Sequence, residues 1–290
     1  MSLAYSMPLA PTTLKNYTAA LSRLEKAGQL NYDGPNNTIL LHSTLIEYLT
    51  KRVVNPGSRK VYIYAILNEI KDWSEEAKAP YVKIGKELSD TCAKLAVSQT
   101  LKESRAVNML DWYNVTILYT KAKRILSPED FLIYCLYTLN PPVRADYVNM
   151  PVIYHYGTTP RTDVTKNYCV VHNEEAYFVF NVYKTAKAYG QTIVSLDPIL
   201  FEMVKDIPNH TMLLPAITTE NMLSKRVMSI FNTLANKKMG IGLLRHSFIT
   251  TYLKTIRRII DKEAIANKMM HSWIQQEAYH IITDDDEPFT

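Results

Sequence analysis

The chain has 290 residues, 47% of them hydrophobic and 21% charged, with a formal net charge of +5. This composition is that of a globular protein with a real core, long enough for one large domain or two ordinary ones. The longest apolar stretch, Phe131 to Leu139, is too short to cross a bilayer as a helix. The three cysteines, Cys92, Cys135 and Cys169, are odd in number and far apart, so they form no disulfide framework and read as reduced core thiols. Cys169 and His172 have a metal-like spacing, but no second pair accompanies them, and no metal is expected. No charged segment followed by an apolar one opens the chain, so the expected location is intracellular.

The charge is spread along the chain. Residues 1–105 carry 14 Lys and Arg against 10 Asp and Glu, and residues 106–290 carry 19 against 18, four of those acids being the tip Asp284, Asp285, Asp286 and Glu287. Both parts are mildly basic apart from that tip, which suits a polyanionic partner.

In chain order, the first hundred residues read as short helices. Thr12 or Thr13 caps a helix with Leu14, Tyr17, Leu21 and Leu24 on one face, ended by Gly28. Thr44 and Glu47 have the spacing of a capping box. Pro56-Gly57 breaks the chain, and Ser58 caps a helix running towards Trp73. Lys51, Arg52, Arg59 and Lys60 surround that break and read as a solvated surface. Polar residues dominate Ser98–Val107, a candidate linker. Beyond it, Asp111–Ile125 reads as one helix. Ser127-Pro128-Glu129-Asp130 supplies a cap, a first-turn proline and acids at the positive end of the next helix. That helix stops at Asn140-Pro141-Pro142.

The period then changes. Val152–Tyr156, Tyr168–His172, Ala176–Tyr183 and Gln191–Leu196 read as strands, the last two flanking a hairpin-like Lys184–Gly190. After Pro215 helices return, over about Glu220–Asn236, Leu243–Ile259 and Lys262–Met270, and a short helical segment carries Tyr279. The expected fold is mainly α with a small β-sheet (α+β). A helical domain covers residues 1–102, and a mostly helical domain with an inserted sheet covers 103–290.

Polar residues at five places stand out in the second domain. Arg144 follows the proline-terminated helix, Lys184 sits in the hairpin, and Arg245-His246 lie at a helix start in Gly242-Leu243-Leu244-Arg245-His246-Ser247-Phe248. His271 follows in Met270-His271-Ser272-Trp273, and Tyr279 comes next. Singly each has a bland reading: a surface arginine, a solvated lysine, a paired arginine, a buried histidine, one of 20 tyrosines. Their order and contexts resemble the tyrosine recombinases, the phage-integrase superfamily. That family has an arginine after a helix turn, a lysine in a β-hairpin and an Arg-His-Ser/Thr-Phe helix start. A histidine or tryptophan follows, and a tyrosine comes one short helix later. The resemblance covers about residues 106–283, and Leu-Arg-His-Ser-Phe is its most specific box. The N-terminal helices resemble the family's core-binding domain by position and size. The wording Pro-Pro-Val-Arg-Ala-Asp-Tyr is similar to relatives in large DNA viruses and eukaryotic mobile elements.

The resemblance implies a site-specific recombinase or integrase that cleaves and rejoins duplex DNA without ATP, metal or other cofactor. Arg144 and Arg245 would clamp the non-bridging phosphate oxygens, because a guanidinium stays charged and presents a planar fork. His271 would donate a further hydrogen bond. Tyr279 would attack phosphorus, giving a 3′-phosphotyrosyl link and a 5′-hydroxyl. Lys184 would protonate the leaving oxygen, with Lys187 as fallback. The partners implied are double-stranded DNA, held in a C-shaped clamp, and further copies of the chain. The assembly would be a homo-tetramer on paired sites, weakly associated or monomeric off DNA, in the cytoplasm, viral factory or nucleus of a host. Two features depart from the family. Gly242 stands where a histidine usually precedes the second arginine by three residues, leaving the base for Tyr279 unassigned, with His246 as a possible substitute. The 11 residues after Tyr279 are also fewer than the tail many relatives dock onto a neighbouring subunit. Alternatives are a type IB topoisomerase-like nicking-closing enzyme acting as a monomer, and a DNA-binding relative that has lost cleavage. A last alternative is an unrelated helical protein.

Overall fold

The structure, a computed structural model, describes residues 9–33, 38–97, 103–154, 163–255 and 259–270. The chain divides into two compact units, Met1–Ser98 and Gln99–Thr290. The architecture is mainly helical with small sheets, the α+β class expected.

In the first unit, α1 (Pro11–Lys26) starts at a first-turn proline, and the threonines expected to cap it lie inside the helix. A hairpin of β1 (Leu30–Asp33) and β2 (Thr38–Leu41) follows, correcting the all-helical expectation. These strands are four residues each, too short for an alternating pattern to stand out. In α2 (Leu45–Arg52) the capping box does not form, because the Thr44 hydroxyl bonds His42 Nδ1 at 2.6 Å instead of the helix. In α3 (Pro56–Glu69) the cap is Asn55, not Ser58: Asn55 Oδ1 accepts from Ser58 N at 3.0 Å, and Pro56-Gly57 forms the first turn rather than a break. Arg59 turns back and donates to the carbonyls of Val53 (3.0 Å) and Thr50 (3.5 Å), so one member of the basic cluster closes the end of α2. Leu24, Leu30, Leu45, Leu49, Ile63 and Ile66 form the core, against which α4 (Glu75–Val97) adds Leu88.

The second unit begins with α5 (Glu103–Ala106). The single helix expected over Asp111–Ile125 is two, α6 (Trp112–Ile117) and α7 (Tyr119–Ile125), joined at Leu118. Then α8 (Pro128–Thr138) starts as the sequence indicates, with Ser127 Oγ accepting from Asp130 N at 3.2 Å. Every residue from Leu132 to Thr138 is buried, so the helix is apolar all round because it is enclosed all round. The sheet runs β3 (Val152–Tyr154), β4 (Tyr168–His172), β5 (Glu175–Phe180) and β6 (Thr192–Ser195) in spatial order. The first pair is parallel and the others antiparallel. Cys169 and His172 are three apart on β4 and so face opposite sides, which rules out a shared metal between them.

The β5–β6 connection is more than a hairpin turn. It holds a helical turn, α9 (Ala186–Tyr189), closed by Gly190 at φ 69°, a conformation that glycine adopts without a Cβ clash. Helices resume before Pro215, with α10 (Pro198–Val204) capped by Asp197, a signal the apolar Ile199-Leu200-Phe201 run obscured. Then come α11 (Glu220–Ala235), ending at Asn236 in the left-handed region, α12 (Ile241–Thr255) and α13 (Ile259–Lys268). The core packs Tyr134, Tyr137, Tyr147, Phe178, Phe180 and Phe231 between α8, the sheet and α11. Among the described residues no helix is long and apolar enough to cross a membrane.

Candidate active site

Arg144 lies in the turn after α8. Its carbonyl accepts the Tyr137 hydroxyl at 2.7 Å, and its N–H donates to Asp146 Oδ2 at 3.1 Å. The turn is therefore fastened to the buried helix from within the core. The two terminal guanidinium nitrogens of Arg144 are buried and have no hydrogen-bond partner among the described residues. A buried guanidinium normally satisfies its donors.

Arg245 is the fifth residue of α12 and one of the largest fully buried side chains, 1% exposed. Its Nη1 donates to the Pro142 carbonyl at 2.7 Å, two residues before Arg144. Both arginines act on the same carboxylate. Burial raises the Asp146 carboxyl above its ordinary value, while Arg144 and then Arg245 pull it back. Two guanidinium groups from segments a hundred residues apart thus converge on one turn. Ser247, also in the Arg-His-Ser-Phe box, is buried with its hydroxyl unpartnered among the described residues. His246 is half-buried on α12.

Lys184 is exposed in the β5–β6 connection, and Lys187 is exposed on α9. Their loop is fixed at both ends of interest. Asn167 donates from Nδ2 to the carbonyls of Asp146 (3.1 Å) and Val182 (2.9 Å). Its Oδ1 accepts from the N–H groups of Asn181 (2.9 Å) and Val182 (2.8 Å). One amide therefore joins the arginine turn to the strand end that precedes Lys184. On the other side, Thr185 Oγ1 donates to the Met270 carbonyl at 2.7 Å. Met270 is held in the left-handed region at φ 57°, directly before His271 in sequence. His271 and Tyr279 lie outside the described residues.

Gly242 occupies the first turn of α12, exposed, one helical turn before Arg245. A Cβ built there would stand 3.4 Å from Nη2 of Arg105 on α5. Sequence reasoning singled out neither Arg105 nor Asp146 nor Asn167. Asp146 is adjacent to the arginine motif and could have been found by its charge in an otherwise apolar run. Asn167 and Arg105 carry no local signal, since their partners are distant in sequence. Among the described residues no group of three or more His, Cys, Asp or Glu could hold a metal ion.

No protein-family model and no curated protein matches the chain. Among solved structures it is similar to the crystal structure of XerA recombinase, with a TM-score of 0.41 and 13% identity, over 94% of this chain and 95% of that one.

Proposed function

We propose that the protein is a DNA strand-breaking and rejoining enzyme of the tyrosine recombinase type, acting as a site-specific recombinase or integrase. The observation that carries this reading is the pair of guanidinium groups, Arg144 and Arg245, gathered on one turn with the terminal nitrogens of Arg144 buried and unsatisfied. Such an arrangement is unfavourable empty and favourable around a dianionic phosphorus centre. The sequence motif around Arg245, the lysine loop tied to the same turn and the order of Arg144, Lys184, Arg245, His271 and Tyr279 support it further.

In this reading the non-bridging oxygens of a DNA phosphodiester sit on Arg144 and Arg245. The Tyr279 oxygen forms a bond to phosphorus as the bond to the 5′-oxygen breaks. Lys184 gives the leaving oxygen its proton. The phosphodiester energy is kept in the phosphotyrosyl bond, and attack by a 5′-hydroxyl reverses the step. Residues 1–102 serve as a DNA-binding domain and 103–290 as the catalytic domain.

The test is covalent trapping on nicked duplex DNA, followed by denaturation and a search for labelled protein. Wild type should give an adduct, and Tyr279→Phe should give none while still binding DNA. An adduct with Tyr279→Phe would remove that residue as nucleophile. Adduct formation with plasmid relaxation but no strand exchange would assign a nicking-closing activity. Salt-dependent binding with no adduct would assign a cleavage-deficient relative.

A further inference from the structure

We propose that Arg105 is a third guanidinium of this anion site, reaching from α5 over Gly242 to contact a DNA phosphate, and that Gly242 is the space that admits it. The inference rests on the function proposed above for the phosphate's identity, but its own basis is geometric. The α5 turn is docked onto the segment leading into α12 by two contacts. Lys237 Nζ donates to the Val107 carbonyl at 2.7 Å, and Lys238 N donates to Asn108 Oδ1 at 2.8 Å. That docking lays Arg105 Nη2 against Gly242, 3.4 Å from where a Cβ would be. A side chain at position 242 would touch the guanidinium from its Cβ onward, and a long one would compete with it for that place.

The electrostatics say what the arrangement awaits. A cation against the first turn of a helix is at the wrong end of the dipole. Arg105 is exposed, and no described carboxylate forms an ion pair with it. Gly242 and Arg245 are three apart and so lie on one face of α12. Arg245 in turn reaches the carbonyl two residues before Arg144, whose terminal guanidinium nitrogens are buried without partners among the described residues. Arg105 thus lies at the start of the helix whose fifth residue, Arg245, shares the Arg144 turn, and desolvation disfavours the carboxylate of that turn, Asp146, as an anion. A bound phosphate would give the terminal nitrogens of Arg144 acceptors and offset the charge of Arg105 against the helix start.

The experiment uses the full chain as wild type, Arg105→Ala, Arg105→Lys, Gly242→Leu and a control, Lys225→Ala, from the exposed face of α11. Each is titrated with a short duplex of random sequence over a range of salt, and adduct formation on a nicked duplex is timed. Arg105→Ala should reduce the salt slope by about one phosphate contact and slow adduct formation on the order of a hundredfold. Arg105→Lys should recover part of both. Gly242→Leu should reproduce the Arg105→Ala defects with a melting temperature no lower than wild type, since an exposed helical glycine is being replaced. An unchanged slope and rate in Arg105→Ala would overturn the proposal. So would a slope change no larger than that of Lys225→Ala, or a Gly242→Leu variant that behaves as wild type. If wild type forms no adduct, the covalent reading fails by itself, and the salt slopes still decide the role of Arg105.

Discussion

At Asp146 a half-buried carboxylate lies within the field of two arginines, and its carboxyl is nevertheless raised above its ordinary value, by desolvation first. The linkage has a definite sign. A group whose pKa rises on folding stabilises the fold below its unfolded pKa, and that contribution is lost as pH climbs through the folded value. At neutral pH the charged Asp146 is therefore a net cost to the free protein. Asp146→Asn, which keeps an acceptor for the Arg144 N–H, should melt higher than wild type at pH 7. The difference should vanish in acid below the ordinary carboxylate range, as differential scanning calorimetry across pH would show. A variant less stable than wild type at pH 7 would mean that the ionic attraction outweighs the burial. The motif arginines stood out in the sequence, because the phosphate-gripping role proposed for them calls for charge and a fork. Asp146 was not, because its role depends on an enclosure that only the folded turn creates.

Between elements, the site is assembled by polar side chains that span long sequence separations. Asn167 makes four hydrogen bonds to the Arg144–Asp146 turn and to the end of β5. Asn167→Ala removes those bonds, two part-buried and two exposed, and should cost on the order of 1–2 kcal/mol. Chemical denaturation would measure the loss, and under the proposed function the variant should lose more cleavage than DNA binding, since the lysine loop loses its tether. Helix starts whose caps lie next to the helix were readable: Ser127-Pro128 behaves as local physics dictates. Where two polar residues competed, the outcome lay in packing. Asn55 rather than Ser58 caps α3, and Thr44 abandons its helix for His42. The β1–β2 hairpin escaped because strands of four residues carry too few alternations to outweigh a helical reading.

For the molecule as a whole, the two units carry separate cores, and basic residues outnumber acidic ones in both parts of the chain. If both contact the same duplex, affinity should come mostly from phosphates and weaken by at least about a hundredfold between roughly 50 and 200 mM salt. Fluorescence anisotropy with random-sequence DNA measures this, and a flat profile would argue against DNA as the ligand. The α+β layout and the arginine pair were open to sequence reasoning because charge, period and turn chemistry are local. The tie between Thr185 and Met270 was not, because it joins residues 85 apart. The Asn167 bridge also bears on how the protein ages. Asparagine slowly hydrolyses to aspartate, which would exchange an amide that donates to two carbonyls for an oxygen that repels both. Bonds that restrain the side chain should slow that reaction, so the clasp that ties the turn to the loop also resists its own chemical decay.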